Sequence, residues 1–116
     1  MSVGLGHKSR YVVDTNVIVS ALLKPGSVPD RALRMIWETS TLLYDERVIA
    51  EYRAVLTRPK FQIDADRVAM MLEAILGLGT LVTDVSTWDG RMRDADDRIF
   101  IEVALAGSAD AIVTGT

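Results

Sequence analysis

Asp14, Glu51 and Asp97 are acidic residues set into apolar patterns. Asp14 closes the run Tyr11-Val12-Val13, and Glu51 falls on the stripe of Val48, Tyr52 and Val55. Asp97 opens the stripe of Phe100, Ile101, Ala104 and Leu105. An ionised carboxylate held away from water without a partner is costly, so three of them on core-facing positions call for a cation or a cluster of donors. Hard divalent ions such as Mg²⁺ and Mn²⁺ take oxygen ligands, keep several waters and are held by a few carboxylates. Such an ion activates water and steadies both oxygens of an in-line phosphoryl displacement. That chemistry needs acids and neither thiol nor imidazole. The chain has no cysteine and a single histidine, His7, near its N-terminus.

Each acid also has a plainer reading. Asp14 suits the N-cap of a following helix, and Asp96 with Asp97 suits a cap and a first-turn acid. Taken singly, those readings are the simpler ones. Glu51 resists the same treatment, because it lies three residues after Val48 and four before Val55 and so shares their helix face. Its plainer reading is an ion pair with Arg53, Arg58 or a distant arginine.

The elements that must position these acids alternate. Tyr11-Val12-Val13 reads as a short buried strand, and Val17 to Leu23 as a helix stopped by Pro25-Gly26. Ser27 caps a helix with Pro29 just inside it, running to about Glu38. Thr41 to Tyr44 reads as a second strand, followed by an Asp45-capped helix that carries Glu51 and ends at Arg58-Pro59. Asp64 caps a helix with Val68, Met71, Leu72, Ile75 and Leu76 on one face, ending at Gly77 or Gly79. Thr80 to Val85 is expected as a third strand, then a polar loop from Ser86 to Arg93. A helix from the Asp94-Ala95-Asp96-Asp97 segment runs to Gly107, and Asp110 to Thr114 forms a fourth strand. Nearly all-apolar strands alternating with helices imply a parallel sheet covered on both faces, whose ligands bind beyond the carboxyl ends of the strands.

The 116 residues, 49% hydrophobic and 25% charged, fit one soluble domain. The expected division is a flexible tail over residues 1–9 and a single domain over 10–116. No apolar run approaches the length of a membrane span, and the N-terminal residues lack the apolar centre of a secretory signal. The absence of cysteine fits a reducing cytoplasm. The net charge of −3 argues against a basic nucleic-acid-binding face. Its distribution is more telling: residues 1–60 hold nine Lys/Arg against six Asp/Glu, and residues 61–116 hold four against ten. Such a split can supply a phosphate-attracting rim around an acidic centre. Arg53, Arg58, Lys60, Arg91 and Arg93 are candidates for phosphate contacts, with solvated surface charge as the alternative for each. Trp88 offers a base-stacking surface or loop packing. Met70, Met71 and Leu72 suit core or dimer packing, and Trp37 the core.

Several segments together resemble a known family. Val13-Asp14-Thr15-Asn16-Val17, the helical glutamate in Glu51-x-x-x-Val55-Leu56, the stretch Arg93-Asp94-Ala95-Asp96-Asp97-Arg98-Ile99-Phe100-Ile101-Glu102-Val103-Ala104, and Ala109-Asp110-Ala111-Ile112-Val113-Thr114-Gly115 look like a PIN domain. Within that family the chain is similar to the VapC-like toxin components of bacterial toxin–antitoxin pairs. The resemblance runs from Tyr11 to the end of the chain, and the order and spacing of the motifs carry it. It implies a three-layer α/β/α sandwich on a mainly parallel sheet and a metal-dependent endoribonuclease. Asp14, Glu51 and Asp97 match the family's first three acidic positions, both metal-holding and catalytic, with Mg²⁺ or Mn²⁺ as cofactor. Asn16 would support them, and Asp96 and Glu102 recur in the subgroup's pattern. Asp110 opens a strand at the opposite rim and reads as structural. Where the family usually places a fourth Asp or Asn and then continues, this chain has Thr116, so either it is truncated or the acid has drifted away. The resemblance further implies an RNA substrate, a homodimer and an antitoxin that blocks the cleft.

Two other functions fit parts of this pattern. A PIN-like scaffold would bind RNA or protein without cutting. A receiver-type phosphotransfer domain would use Asp84, but it wants a late lysine, and no lysine follows Lys60.

Overall fold

The structure is a computed structural model that describes residues 8–87 and 97–115. Among these residues the elements are β1 (Arg10–Val13), α1 (Thr15–Leu23), α2 (Val28–Thr39), β2 (Thr41–Tyr44) and α3 (Glu46–Leu56). A single 3₁₀ turn (Pro59–Phe61), α4 (Ala65–Leu78), β3 (Thr80–Leu81), α5 (Arg98–Ala106) and β4 (Ala111–Val113) complete them. The helix starts follow from local chemistry. Asp14, Ser27, Asp45 and Asp64 each accept a backbone N–H from the first turn of α1, α2, α3 and α4, which satisfies donors the helix itself cannot.

The four strands form one parallel sheet in the order β3-β2-β1-β4. Tyr11 pairs with Leu42 on one side and Ala111 on the other, and Val13 pairs with Val113. Successive strand residues face opposite sides. On one side Tyr11 and Val113 share a hollow with Ala32, Met35 and Ile36 of α2. On the other, Ile112 meets Phe100 and Ile101 of α5. Helices thus flank the sheet in three layers, as expected. The core runs through its centre, where Val12, Val13, Leu42 and Leu43 are buried against Ile18, Leu33, Val48, Tyr52 and Val103. Ser9, placed in the tail by the sequence, already offers its carbonyl to Thr41 N–H at 2.8 Å.

Three expectations change. The third strand, expected over Thr80 to Val85, pairs only at Thr80 and Leu81. Val82 N–H still reaches Tyr44 carbonyl at 2.8 Å, but β2 ends there and the chain turns into the Asp45 cap, so no partner strand remains. Asp84 also adopts a left-handed φ of 57°, which breaks the extension. Helix α1 begins two residues early, because Asp14 caps it directly. Leu76 and Leu105, assigned to apolar stripes, are exposed at the edges of their helices' buried faces.

Gly79 shows how tightly α4 is turned into β3. A Cβ there would lie 2.6 Å from Ile75 carbonyl and 3.0 Å from Leu42 carbonyl, both backbone atoms that cannot swing aside. Gly79→Ala should therefore lower stability by about 1–3 kcal/mol. Urea denaturation checks this, and an unchanged midpoint would refute the close contact.

Candidate active site

Asp14 is fixed where β1 hands over to α1. Its N–H donates to Val113 carbonyl at 2.9 Å, and its carbonyl accepts Val17 N–H at 3.0 Å. One carboxylate oxygen, Oδ1, accepts Asn16 N–H at 3.3 Å, so the capping reading of Asp14 holds. Capping does not remove it from the cleft. Asp14, Thr15, Asn16, Glu51, Val55, Arg58, Asp97 and Phe100 together line a hollow of about 170 Å³. An adjoining hollow of about 190 Å³ shares Asp14, Asp97 and Phe100 and continues over Ile101, Ile112 and Thr114. A polar cleft therefore opens onto an apolar shelf at the carboxyl rim of β1 and β4.

Glu51 reaches this cleft from the middle of α3, half-buried between the buried residues Val48, Tyr52 and Val55. Among the described residues it has no ion-pair partner, so neither Arg53 nor Arg58 supplies the ion pair of its plainer reading. Asp97 stands at the N-cap position of α5 and is exposed, not core-facing, which corrects the apolar stripe assigned to it. The desolvation argument therefore applies to Asp14 and Glu51 and not to Asp97.

Two contacts fix α3 against its neighbours. The Tyr52 hydroxyl, fully buried, donates to Val13 carbonyl, the residue just before Asp14, and its ring centroid lies 6.3 Å from that of Phe100. Burial, and then the nearby Asp14 charge, push the phenol far above its usual pKa, so it stays a donor. One turn before Glu51, Arg47 donates from Nη1 to Glu102 Oε1 at 2.7 Å and from Nε to Asp45 Oδ2 at 3.1 Å. Its hydrogen bond to Glu102 is the main cause holding the guanidinium above its ordinary pKa. Asp45 in turn caps Val48 N–H at 2.9 Å. Glu102 is thus a buried ion-pair partner tying α5 to α3 and does not line either hollow.

Of the remaining candidates, Asn16 and Arg58 line the cleft, whereas Arg53 and Lys60 are exposed outside it. The Lys60 ammonium sits 5.1 Å over the Phe61 ring. Asp110 accepts Arg10 N–H at 2.8 Å at the amino rim of the sheet, opposite the cleft. Asp96, Arg91, Arg93, Trp88, His7 and Thr116 lie outside the described residues. Thr15 and Tyr52 were not singled out as site residues, although each adjoins one that was. The Arg47–Glu102 pair, 55 residues apart, left no local signal.

The donor set is all oxygen and suits a hard divalent ion. Among the described residues, however, no three His, Cys, Asp or Glu side chains are gathered closely enough to hold one directly. The shared cleft and oxygen chemistry of Asp14, Glu51 and Asp97 would suit an ion that keeps part of its water shell.

Removing Arg47 takes the guanidinium from a carboxylate whose side chain is 2% exposed, while Arg47 itself is 46% exposed. Arg47→Met should cost about 1–3 kcal/mol, below the value for a fully buried pair, and Arg47→Met with Glu102→Leu should recover much of it. A denaturation cycle with additive losses would show that the pair is not coupled. The raised Tyr52 pKa predicts stability that is complete below the ordinary phenol value of about 10 and is lost as pH rises past it, since only the unfolded chain ionises there. Tyr52→Phe should flatten that alkaline limb and cost about 1–3 kcal/mol at pH 7 by stranding Val13 carbonyl. Thermal melts between pH 7 and 11 read both effects.

The PIN domain family model matches residues 10–115, a span that includes every described strand and helix. "Uncharacterized protein MJ1680" of Methanocaldococcus jannaschii is 30% identical over 112 residues, covering 93% of this chain and 71% of that protein. No solved structure matches the chain significantly. Among the described residues no helix is long and apolar enough to cross a membrane. The parallel sheet, the acids brought to its carboxyl rim and the family match over almost the whole length agree: this chain belongs to the PIN domain family, a family of nuclease-type domains.

Proposed function

We propose that the protein is an endoribonuclease that depends on Mg²⁺ or Mn²⁺ and acts as the toxin of a toxin–antitoxin pair. The observation that carries the reading is one cleft lined by Asp14, Glu51 and Asp97, which come from three separate segments of the chain. These carboxylates would hold the ion, with Asn16 alongside Asp14. When bound, a divalent ion supplies Lewis-acid activation of water and neutralises charge at the scissile phosphate. The chain's own part is positional. Tyr52 and the Asp14 cap set the end of β1, and the Arg47–Glu102 pair sets α3 against α5. The apolar shelf of Phe100, Ile101 and Ile112 beside the acids gives a dry surface for a base or sugar. The homodimer and the antitoxin belong to the same proposal. Met70, exposed beside Trp37 and Met71 in a hollow between α2 and α4, supports a protein-binding face there.

Asp14→Asn keeps a capping oxygen and Glu51→Gln keeps shape, so both should fold. Each should lose RNA cleavage by about 100-fold or more, the scale at which a lost electrostatic contact acts on a transition state. Cleavage of single-stranded RNA in Mn²⁺, with circular dichroism as the folding check, tests this. Undiminished cleavage by either variant would sink the assignment. Growth arrest on expression, relieved by a co-expressed protein from the neighbouring reading frame, tests the toxin role. That no three acids among the described residues are gathered closely enough to hold an ion directly favours a second reading, a scaffold that binds without cutting. Calorimetric titration with Mn²⁺ separates the two, because the scaffold gives no binding heat at these carboxylates.

A further inference from the structure

We propose that the acid cleft contains its own phosphate anchor, made by the Arg58 guanidinium with the Thr15 hydroxyl. This rests on the ribonuclease reading and names the part of the site that grips the substrate rather than the ion. Glu51, Val55 and Arg58 all line the cleft from successive turns at the end of α3. Pro59 bars the helical conformation to the residue before it, and Arg58 accordingly takes φ −64° and ψ 129°. Its N–H donates to Val55 carbonyl at 3.1 Å and its carbonyl accepts Phe61 N–H at 3.1 Å, so the backbone is held on both sides. The side chain leaves from a fixed point at the cleft.

Arg58 shares the cleft with three carboxylates, yet among the described residues it makes no ion pair with any of them. Arg47, in the first turn of α3, shows the contrast: its guanidinium donates to both Asp45 and Glu102. A guanidinium fork matches the paired oxygens of a phosphodiester, and a polyanion entering an acidic cleft needs a cation at its edge. Thr15 is the independent observation. It is 4% exposed, lines the same cleft, and its Oγ1 is buried without a hydrogen-bond partner among the described residues. It sits in the first turn of the nine-residue helix α1, where the backbone amides and dipole favour an anion. A hydroxyl can rotate to donate, and a phosphate oxygen seated on the first turn of α1 would give it the acceptor it lacks once a small shift of that turn uncovers the buried Oγ1.

The test measures binding by the full chain of a fluorescent single-stranded RNA with a non-cleavable 2′-O-methyl backbone, by anisotropy across a salt series, beside Mn²⁺ calorimetry and thermal melts. Arg58→Gln should weaken RNA binding by about 10-fold and reduce the salt slope by about one. It should leave Mn²⁺ affinity unchanged or tighter, since a cation has left the acidic cleft. Arg58→Lys should restore the slope but only part of the affinity. Thr15→Val should weaken RNA binding about 3-fold with an unchanged or higher melting temperature, because it removes an orphaned hydroxyl. Arg31→Gln, exposed on α2, should match the parent chain. Wild-type RNA affinity in Arg58→Gln overturns the anchor, and so does a joint loss of RNA, Mn²⁺ and thermal stability, which marks a structural arginine. Unchanged RNA affinity in Thr15→Val removes the hydroxyl from it. If Asp14→Asn abolishes cleavage while Arg58→Gln binds normally, the anchor fails and the ribonuclease stands. If the parent chain neither binds nor cuts RNA, both fail.

Discussion

The hydrogen bond from the Tyr52 hydroxyl to Val13 carbonyl is the constraint on which the cleft depends. It joins the middle of α3 to the last residue of β1, one position on either side of an acid: Glu51 precedes the donor and Asp14 follows the acceptor. A buried phenol has no alternative partner in water, so this bond sets the depth and rotation of α3 over the sheet. Phe100 packs against the same ring and brings the start of α5 to the same point. The three acid-bearing segments are thus located by one aromatic residue whose own role is apolar packing with a polar tip.

Charge is arranged around that point with an economy typical of functional sites. Glu102 is as deeply buried as the core aliphatics and is matched by a guanidinium at 2.7 Å. Glu51 and Asp14 are only half covered and have no arginine partner among the described residues. A chain folded for stability alone would treat these acids alike. Among the described residues, the contrast between Glu102, paired with an arginine, and Asp14 and Glu51, which are not, marks off the proposed site from the scaffold.

Much of this was legible in the sequence, for identifiable reasons. Strand and helix order follow from short β-branched runs and from Asp or Ser caps, signals that are local and survive tertiary packing. Glu51 was legible because a carboxylate on an apolar stripe is a local contradiction. Asp97 was placed correctly on its helix start but wrongly on the core side, since a stripe that begins at a cap position has no preceding turn to fix its face. The third strand was overextended because Leu81 to Val85 has strand-like composition, while its true length is set by where β2 stops. Glu102 was legible only through the family resemblance, and its pairing was not legible. Its environment is made by Arg47, a residue 55 positions away, and neither carries a mark of the other.

The order of the elements has a consequence for the timing of assembly. Asp14 and Glu51 lie on β1–α1 and α3, which pack together around β2 early in the chain. Asp97 stands at the start of α5, whose place depends on β1 and on β4, the strand that follows it in the chain. A chain emerging from the ribosome therefore holds two of its acids, half of an unsupported sheet rim, and no closed cleft. Asp14 and Glu51 can thus be set in place before Asp97, and the cleft the three share closes only once α5 and β4 have docked beside β1.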